Sequence, residues 1–522
     1  MSRPVRLRVN PWVACFFVAL LATGLALFRD YGISWDELPT REYGVTYAIH
    51  AVPDLPALEE IRARSGYGWE RHGPAFELGL VAMERAARFD DLRTVFFARH
   101  LATFLVFYAA VALFYAFARR RFGAWLSLAG TACLVCTPTL FAHAFYNAKD
   151  IPFLALFSAT MLGLAAWLER PTWRMAAVQA ILTALLVSTR VLGLLALAMT
   201  VALMLLRRRD RATCLKLAAY VALVAIALPV FWPVLRIDYW HVLSRTVANA
   251  SNNALSPRVV RFWGDELAPG ELPWYYAPSW MLVTIPIPYL VAFVAGAIAF
   301  ARDASSRWRH WLAAPGVDVV ALGWGIAPLA STMLLRPALY DGWRHLFFVY
   351  PAVLYVAMRG VEAAWTWSTR WTAHWPKLAR PIVAATALLV AITPGGVFMA
   401  ASHPFEHLYF NRFAGPDLAT ARARFDFDYW GLSYRPMLEE LVRADPAPVL
   451  RVAVENFPGA ANAIMLDPGD RRRLRYVASL DSADYFVTNF RFSDDPDPRT
   501  GLLYSLRLGN ATIGSIFRLR AP

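Results

Sequence analysis

The chain is poor in charge, in lysine and in cysteine. Charged residues are 17% of its 522 residues and hydrophobic ones 58%, against about 25% and about 45–50% in an ordinary soluble domain. The apolar excess comes in repeated runs long enough to cross a bilayer, which excludes a single large soluble core. Lysine occurs only as Lys149, Lys216 and Lys377, so arginine carries most of the positive charge. The net charge of +14 does not mark a nucleic-acid binder, because the basic residues cluster between apolar runs, where they set topology. Cys15, Cys133, Cys136 and Cys214 lie in or beside apolar runs and give no disulfide framework. Cys133 and Cys136 have redox-motif spacing but read as small buried thiols. No internal repeat or low-complexity linker is visible. The opening "MSRPVRLRVNPW" precedes an apolar run that leads to "RDYG" without a small-residue cleavage site, so a retained first helix is expected.

The apolar runs predict eleven spans, near 11–28, 95–118, 124–143, 152–168, 175–189, 191–206, 214–233, 279–301, 316–335, 346–358 and 382–400. Arginine-rich segments such as "RPVRLR", "RRRFG", "ERPTWR", "RRRDRATCLK" and "RDASSRWRHW" alternate with charge-poor loops such as "NAKD". With a cytoplasmic N-terminus, these basic segments then lie inside. The predicted fold is a polytopic α-helical membrane domain over 1–400, with extracytoplasmic loops at 29–94 and 234–278, and a small extracytoplasmic α/β domain over 401–522. The stretch "LEEIRARSGYGWERHGPAFELGLVAMERAARF" alternates apolar and charged residues at helical spacing, which predicts helices on the membrane surface. In the tail, "YRPMLEELVRA" reads as a helix, and "VLRVAVEN", "DYFVTNF" and "TIGSIFRLR" read as strands.

Charges next to hydrocarbon are expensive and need a partner, water or a function. Five outward places carry them: Asp36 and Glu37 after the first span, Lys149 and Asp150 in "NAKD", Arg190 in "STRVLG", Arg344 and His345 in "WRHLFFVYP", and "SHPFEHLYFNRF" after the last span. The topology puts all five at one face. A carboxylate there suits removal of a proton from an acceptor hydroxyl, and cations suit a phosphate whose charge grows as it leaves. Together these are the parts for glycosyl transfer from a polyprenyl-phosphate sugar, whose tail would stay in the bilayer.

Several of these residues also have ordinary structural readings. Ser34 or Asp36 can cap a surface helix. Asp150 can cap a span before Pro152. Arg190 can anchor a helix end by snorkelling, and Arg344 with His345 can anchor at the interface. His143 reads as a packed histidine, His403 and His407 as loop histidines, and "WYYAPSW" at 274–280 as an interfacial belt.

The motifs "GISWDE", "RHGPAFEL", "FAHAFYNAKDIPF", "STRVLGLL", "WRHLFFVYP" and "HPFEHLYFNRFAG" resemble the GT-C membrane glycosyltransferases, in particular bacterial relatives of dolichyl-phosphate-mannose–protein mannosyltransferases. The resemblance covers most of residues 30–415. It implies that Asp36 is the base, that Glu37 shapes the site or binds acceptor, and that Asp150 is the acidic residue of the second outer loop. It implies lipid-phosphate contacts for Lys149 and Arg344, with Arg190 and His345 beside them. Some members use a divalent cation, for which Asp36, Asp150 and a histidine could meet in space. The implied partners are a polyprenyl-phosphate-linked sugar, a lipid, glycan or protein hydroxyl acceptor, and the lipid of a bacterial inner membrane. The folded repeats of eukaryotic protein mannosyltransferases are absent, which puts a eukaryote-like protein acceptor in doubt. A transporter of a lipid-linked sugar would instead want ionisable groups at mid-span and repeated halves. A non-catalytic assembly protein would be built around the C-terminal domain.

Overall fold

The computed structural model describes residues 10–50, 73–251, 259–312, 316–337, 339–369, 379–492 and 501–520. The basic cluster "RPVRLR" and the first part of the amphipathic stretch, up to residue 72, lie outside the described residues.

Among the described residues, seven helices are long and apolar enough to cross a membrane, and the chain is a multi-pass membrane protein. They are Leu92–Ala118, Asp150–Glu169, Arg211–Phe231, Ile287–Ser305, Gly316–Leu335, Arg344–Ser368 and Ala379–Ser402. Three shorter apolar helices, Pro11–Leu27, Trp173–Thr189 and Val191–Arg207, occupy the other expected runs. Polar side chains start several of them. Asn10 caps Pro11–Leu27, and Asp91 caps Leu92–Ala118 through the Thr94 amide at 3.0 Å.

Three expected spans need correction. The run at 124–143 is two helices, Ala124–Val135 and Pro138–Tyr146, bent by 68°. Pro138 has no amide hydrogen to continue the first helix. The run at 279–301 is likewise broken, into Tyr276–Thr284 and Ile287–Leu312, at Ile285 and Pro286. The run at 346–358 is the middle of a longer stretch, a 3-10 turn Arg344–Val349 continuing into Tyr350–Ser368.

The helices Ile287–Leu312 and Tyr350–Ser368 approach closely through small residues. A Cβ on Gly296 would overlap the Val356 carbonyl, and one on Gly360 the Ala292 carbonyl. Membrane helices lack a strong hydrophobic drive to associate and rely on such contact. Gly360→Val is therefore expected to cost about 1–3 kcal/mol from overpacking. Thermal unfolding of the detergent-solubilised protein, followed by fluorescence size-exclusion, checks it; an unchanged midpoint contradicts this packing.

The first outer loop contains the helices Glu37–His50 and Ala75–Ala87. The second helix does not turn its acids to water as amphipathic spacing suggests. Glu77 and Glu84 are buried and pair with Arg99 of Leu92–Ala118, Glu84 at 2.8 Å. A buried arginine demands such partners.

A hairpin of β1 (Val260–Phe262) and β2 (Asp265–Leu267) lies in the second large loop. The C-terminal part holds β3 (Leu450–Val454), β4 (Leu474–Tyr476), β5 (Tyr485–Thr488), β6 (Gly501–Leu508) and β7 (Ala511–Arg518). Their order is β4-β3-β5-β7-β6, with β3 parallel to β4 and β5, and β7 antiparallel to β5 and β6. The expected helix runs from Tyr434 to Ala444 and buries Tyr434, Met437, Leu438 and Leu441 with Leu450, Val452, Val487 and Ile516 of the sheet. This domain clasps the chain that leaves the first span. Asn462 accepts from the Ile33 amide at 2.8 Å and donates to the Ile33 carbonyl at 2.9 Å. Arg435 donates to the Tyr31 carbonyl at 2.9 Å.

Candidate functional site

The loop after the first span is fastened from behind by Glu37. Its carboxylate accepts from the Ser34 amide at 2.7 Å, half of a capping box, and meets His100 Nε2 at 2.9 Å. Ser34 Oγ donates to the Tyr146 carbonyl at 3.2 Å, and the Trp35 amide to the Trp430 carbonyl at 3.1 Å. With Glu37 buried on one side, Asp36 faces the other way. Its side chain keeps 24% exposure and meets Lys149 Nζ at 2.9 Å.

Lys149 is aimed by the cap of the next helix. Asn147 Oδ1 accepts from the amides of Asp150 at 2.9 Å and Lys149 at 3.3 Å, which starts the helix Asp150–Glu169. Asn147 Nδ2 donates to Asp150 Oδ2 at 2.7 Å. Asp150 is buried and pairs with Arg190 at 2.5 Å and Arg344 at 3.3 Å. Arg190 ends the helix Trp173–Thr189.

Arg344 joins these groups. Its buried guanidinium lies 3.3 Å from Asp150, 3.6 Å from Asp36 and 3.3 Å from Asp341. It rests 4.8 Å from the Trp430 ring and 5.0 Å from Tyr340, which favours a planar cation. The turn that delivers it is tight: Asp341 has φ 56° and Gly342 φ 73°, a conformation that Asp tolerates and Gly adopts freely. Asp341 pairs in turn with Arg491 of the C-terminal domain at 2.6 Å.

The structure thus brings together Asp36, Lys149, Asp150, Arg190 and Arg344. His345 packs beside the cluster, edge-on to Tyr340 at 4.9 Å, and its Nδ1 has no hydrogen-bond partner among the described residues. "SHPFEHLYFNRF" forms a separate group, where His403 bridges Asp30 at 2.9 Å and Glu406 at 2.6 Å. His143 is packed, bonded to Asn147 at 2.8 Å and Trp430 at 3.1 Å.

Three carboxylates (Asp36, Asp150, Asp341) face four cations (Lys149, Arg190, Arg344, Arg491) in this ladder. Arg491 also lies beside the Asp426 carboxylate, which extends the ladder into the C-terminal domain. Burial pushes the Lys149 ammonium down to about 8, and Asp36 opposes that fall. Among the described residues, no three His, Cys, Asp or Glu side chains stand together as a metal site. Asp36 and Asp150 are paired with Lys149, Arg190 and Arg344.

Residues 92–237 match the dolichyl-phosphate-mannose-protein mannosyltransferase family. The structure is similar to ArnT from Cupriavidus metallidurans bound to undecaprenyl phosphate, with a TM-score of 0.50 and 13% identity over 97% of this chain and 98% of that one. The chain shares the GT-C fold of that protein over nearly its whole length. The oligosaccharyltransferase of Archaeoglobus fulgidus is also similar, with a TM-score of 0.45 and 13% identity over 90% of this chain and 65% of that one. No curated protein matches.

Sequence reasoning missed Asn147, Asp341, Trp430 and Arg491. Asn147 was legible, three residues before Asp150 at cap spacing. Asp341 stands three residues before Arg344 in "YDGWRH", within salt-bridge reach of any turn. Nothing local marks Arg491, whose role depends on how the sheet domain docks.

Proposed function

We propose that this protein is a membrane glycosyltransferase that moves a single sugar from a polyprenyl-phosphate carrier to an acceptor hydroxyl, with inversion. The observation that carries the reading is the Asp36–Lys149 pair, tied through Arg344 to Asp150. A phosphodiester-linked donor carries one negative charge, which the Lys149 and Arg344 cations can meet. Once its phosphate engages Lys149 and Arg344, Asp36 accepts the acceptor's proton. The freed oxygen attacks the anomeric carbon from the face opposite the phosphate, and the electron pair of the breaking C–O bond stays on the phosphate. Lys149, Arg344 and Arg190 stabilise the charge that gathers there. Glu37 acts as a positioning residue for Asp36.

The charges sit at helix ends: Asp150 starts one span, Arg190 ends another helix and Arg344 starts a third. That favours chemistry at an interface over a mid-span transport path. In this reading the N-terminus is cytoplasmic, and the site and C-terminal domain face outward from a bacterial inner membrane. Mass spectrometry of glycolipids and glycans from cells with and without the gene tests it. One sugar-bearing species is expected to disappear and return on complementation; identical profiles would overturn the proposal.

The lowered Lys149 pKa gives a pH prediction. Lys149 is cationic below its value near 8 and neutral above it, so phosphate binding is expected to weaken as pH rises through that point. In Lys149→Arg the cation persists, because guanidinium stays charged. The alkaline fall in kcat/KM is expected in the wild type and absent in the variant. The same alkaline limb in both would exclude Lys149 as its origin.

A further inference from the structure

A cleft of about 540 Å³ opens between the C-terminal domain, the segment 422–429 and the β1–β2 hairpin, within the usual range of about 300–1,000 Å³ for small-molecule sites. Its wall begins at Trp35, the residue before Asp36. It also includes Arg491, whose partner Asp341 holds Arg344. The cleft is therefore one residue from the proposed base along the chain and joined to it by the ion-pair ladder. Its lining residues come from positions 35, 259–266, 422–429, 455–457 and 489–492, none of them in a membrane-spanning helix. A lipid-borne donor enters from the bilayer, and none of this lining belongs to a span.

Two features of the lining point to a ligand. Aromatic rings stand in the wall without being buried: Phe492 is 56% exposed and Phe457 43%. Phe492 is set edge-on to Trp35 at 6.2 Å, and Arg491 lies 5.4 Å over the Trp35 ring. Between the rings are directional polar groups. Arg422 rests 4.8 Å over Phe490, and Asp426 accepts the Arg261 amide at 3.2 Å. Burial raises the Asp426 carboxyl to about 6, with Arg491 opposing the rise. A sugar ring matches this mixture, because its axial C–H face stacks on aromatic rings while its rim hydroxyls need donors and acceptors at fixed angles.

We propose that this cleft is the acceptor site and that the part of the acceptor it holds is a saccharide, stacked on Trp35 and Phe492 and bonded at its rim by Asp426 and Arg422. This rests on the transferase reading above. The test uses the full-length protein in lipid nanodiscs, applied to an array of di- to tetrasaccharides and to a peptide array. Undecaprenyl phosphate, read by thermal shift, probes the donor side in parallel. The wild type is expected to retain at least one saccharide class. Phe492→Ala and Asp426→Asn are each expected to weaken it about tenfold while the undecaprenyl-phosphate shift stays unchanged. Phe492 is exposed enough that its truncation keeps the fold, so that variant decides even where Asp426→Asn unfolds. Binding of no saccharide, or of one that ignores both substitutions, overturns the proposal. So does retention on peptides alone, or an equal loss of undecaprenyl-phosphate binding in Phe492→Ala, which would make the cleft part of the donor site. Saccharide retention that depends on Phe492, without any undecaprenyl-phosphate shift in the wild type, would keep the cleft and remove the donor reading.

Discussion

Asp36→Asn is expected to lower sugar transfer by about 10²–10⁴-fold, the usual contribution of a positioned general base, with expression and undecaprenyl-phosphate binding retained. The amide keeps the shape of the side chain and a polar contact to Lys149, now 2.9 Å from Asp36, but cannot take a proton from an acceptor hydroxyl. The substitution also removes one negative charge beside Lys149 and Arg344, which favours an anionic donor. Loss of transfer without loss of donor binding is therefore the signature that separates chemistry from structure. It is read by transfer of a labelled sugar in proteoliposomes alongside thermal shift with undecaprenyl phosphate. Transfer at the wild-type rate would remove Asp36 as the base. Collapse of both readouts would show the pair to be structural.

Arg344→Ala should be the most damaging single change to the ladder. Arg344 lies within 3.6 Å of Asp36, Asp150 and Asp341. Removing it leaves Asp150 and Asp341, both buried, without a shared cation. Breaking a buried pair in this way costs about 3–5 kcal/mol, mostly from the charge left behind. Arg344→Lys restores the charge but not the planar fork that spans three carboxylates or the stacking on Trp430. The expected order of thermal stability is wild type, then Arg344→Lys, then Arg344→Ala. Transfer is expected to be lost in both variants, because a point charge held by one carboxylate no longer reaches the phosphate. Wild-type stability in Arg344→Ala would contradict the ladder, and wild-type transfer in Arg344→Lys would contradict its role in charge stabilisation.

How far the sequence was readable follows from which forces act locally. Span positions were legible because crossing a bilayer requires long apolar runs, and nearly all expected runs coincide with helices. The breaks at Pro138 and Pro286 were not, since proline within an apolar run is tolerated where neighbours satisfy the backbone. The convergence of "WDE", "NAKD", "STRVLG" and "WRH" could be suspected from their shared face, but only the fold brings them within salt-bridge distance. The difference between Asp36 and Glu37 was partly visible: Ser34 and Glu37 have capping-box spacing, and the structure uses Glu37 in that way. The helix Ala75–Ala87 misled, because its charged stripe looks like a wet face until Arg99 appears on the neighbouring span. In the tail, β4 and β6 escaped notice, since an edge strand need not alternate apolar and polar residues when one side stays in water.

The bond pair between Asn462 and Ile33 bears on how the molecule can be taken apart. An amide side chain that both gives to and takes from the backbone of one residue imitates a neighbouring strand, so the chain leaving the first span is paired to the C-terminal domain through Ile33. The domain is therefore no detachable appendage. A truncation before Leu418 would release the loop that carries Asp36 even though every membrane helix remained, and the protein's two ends would have to fold before its middle could work.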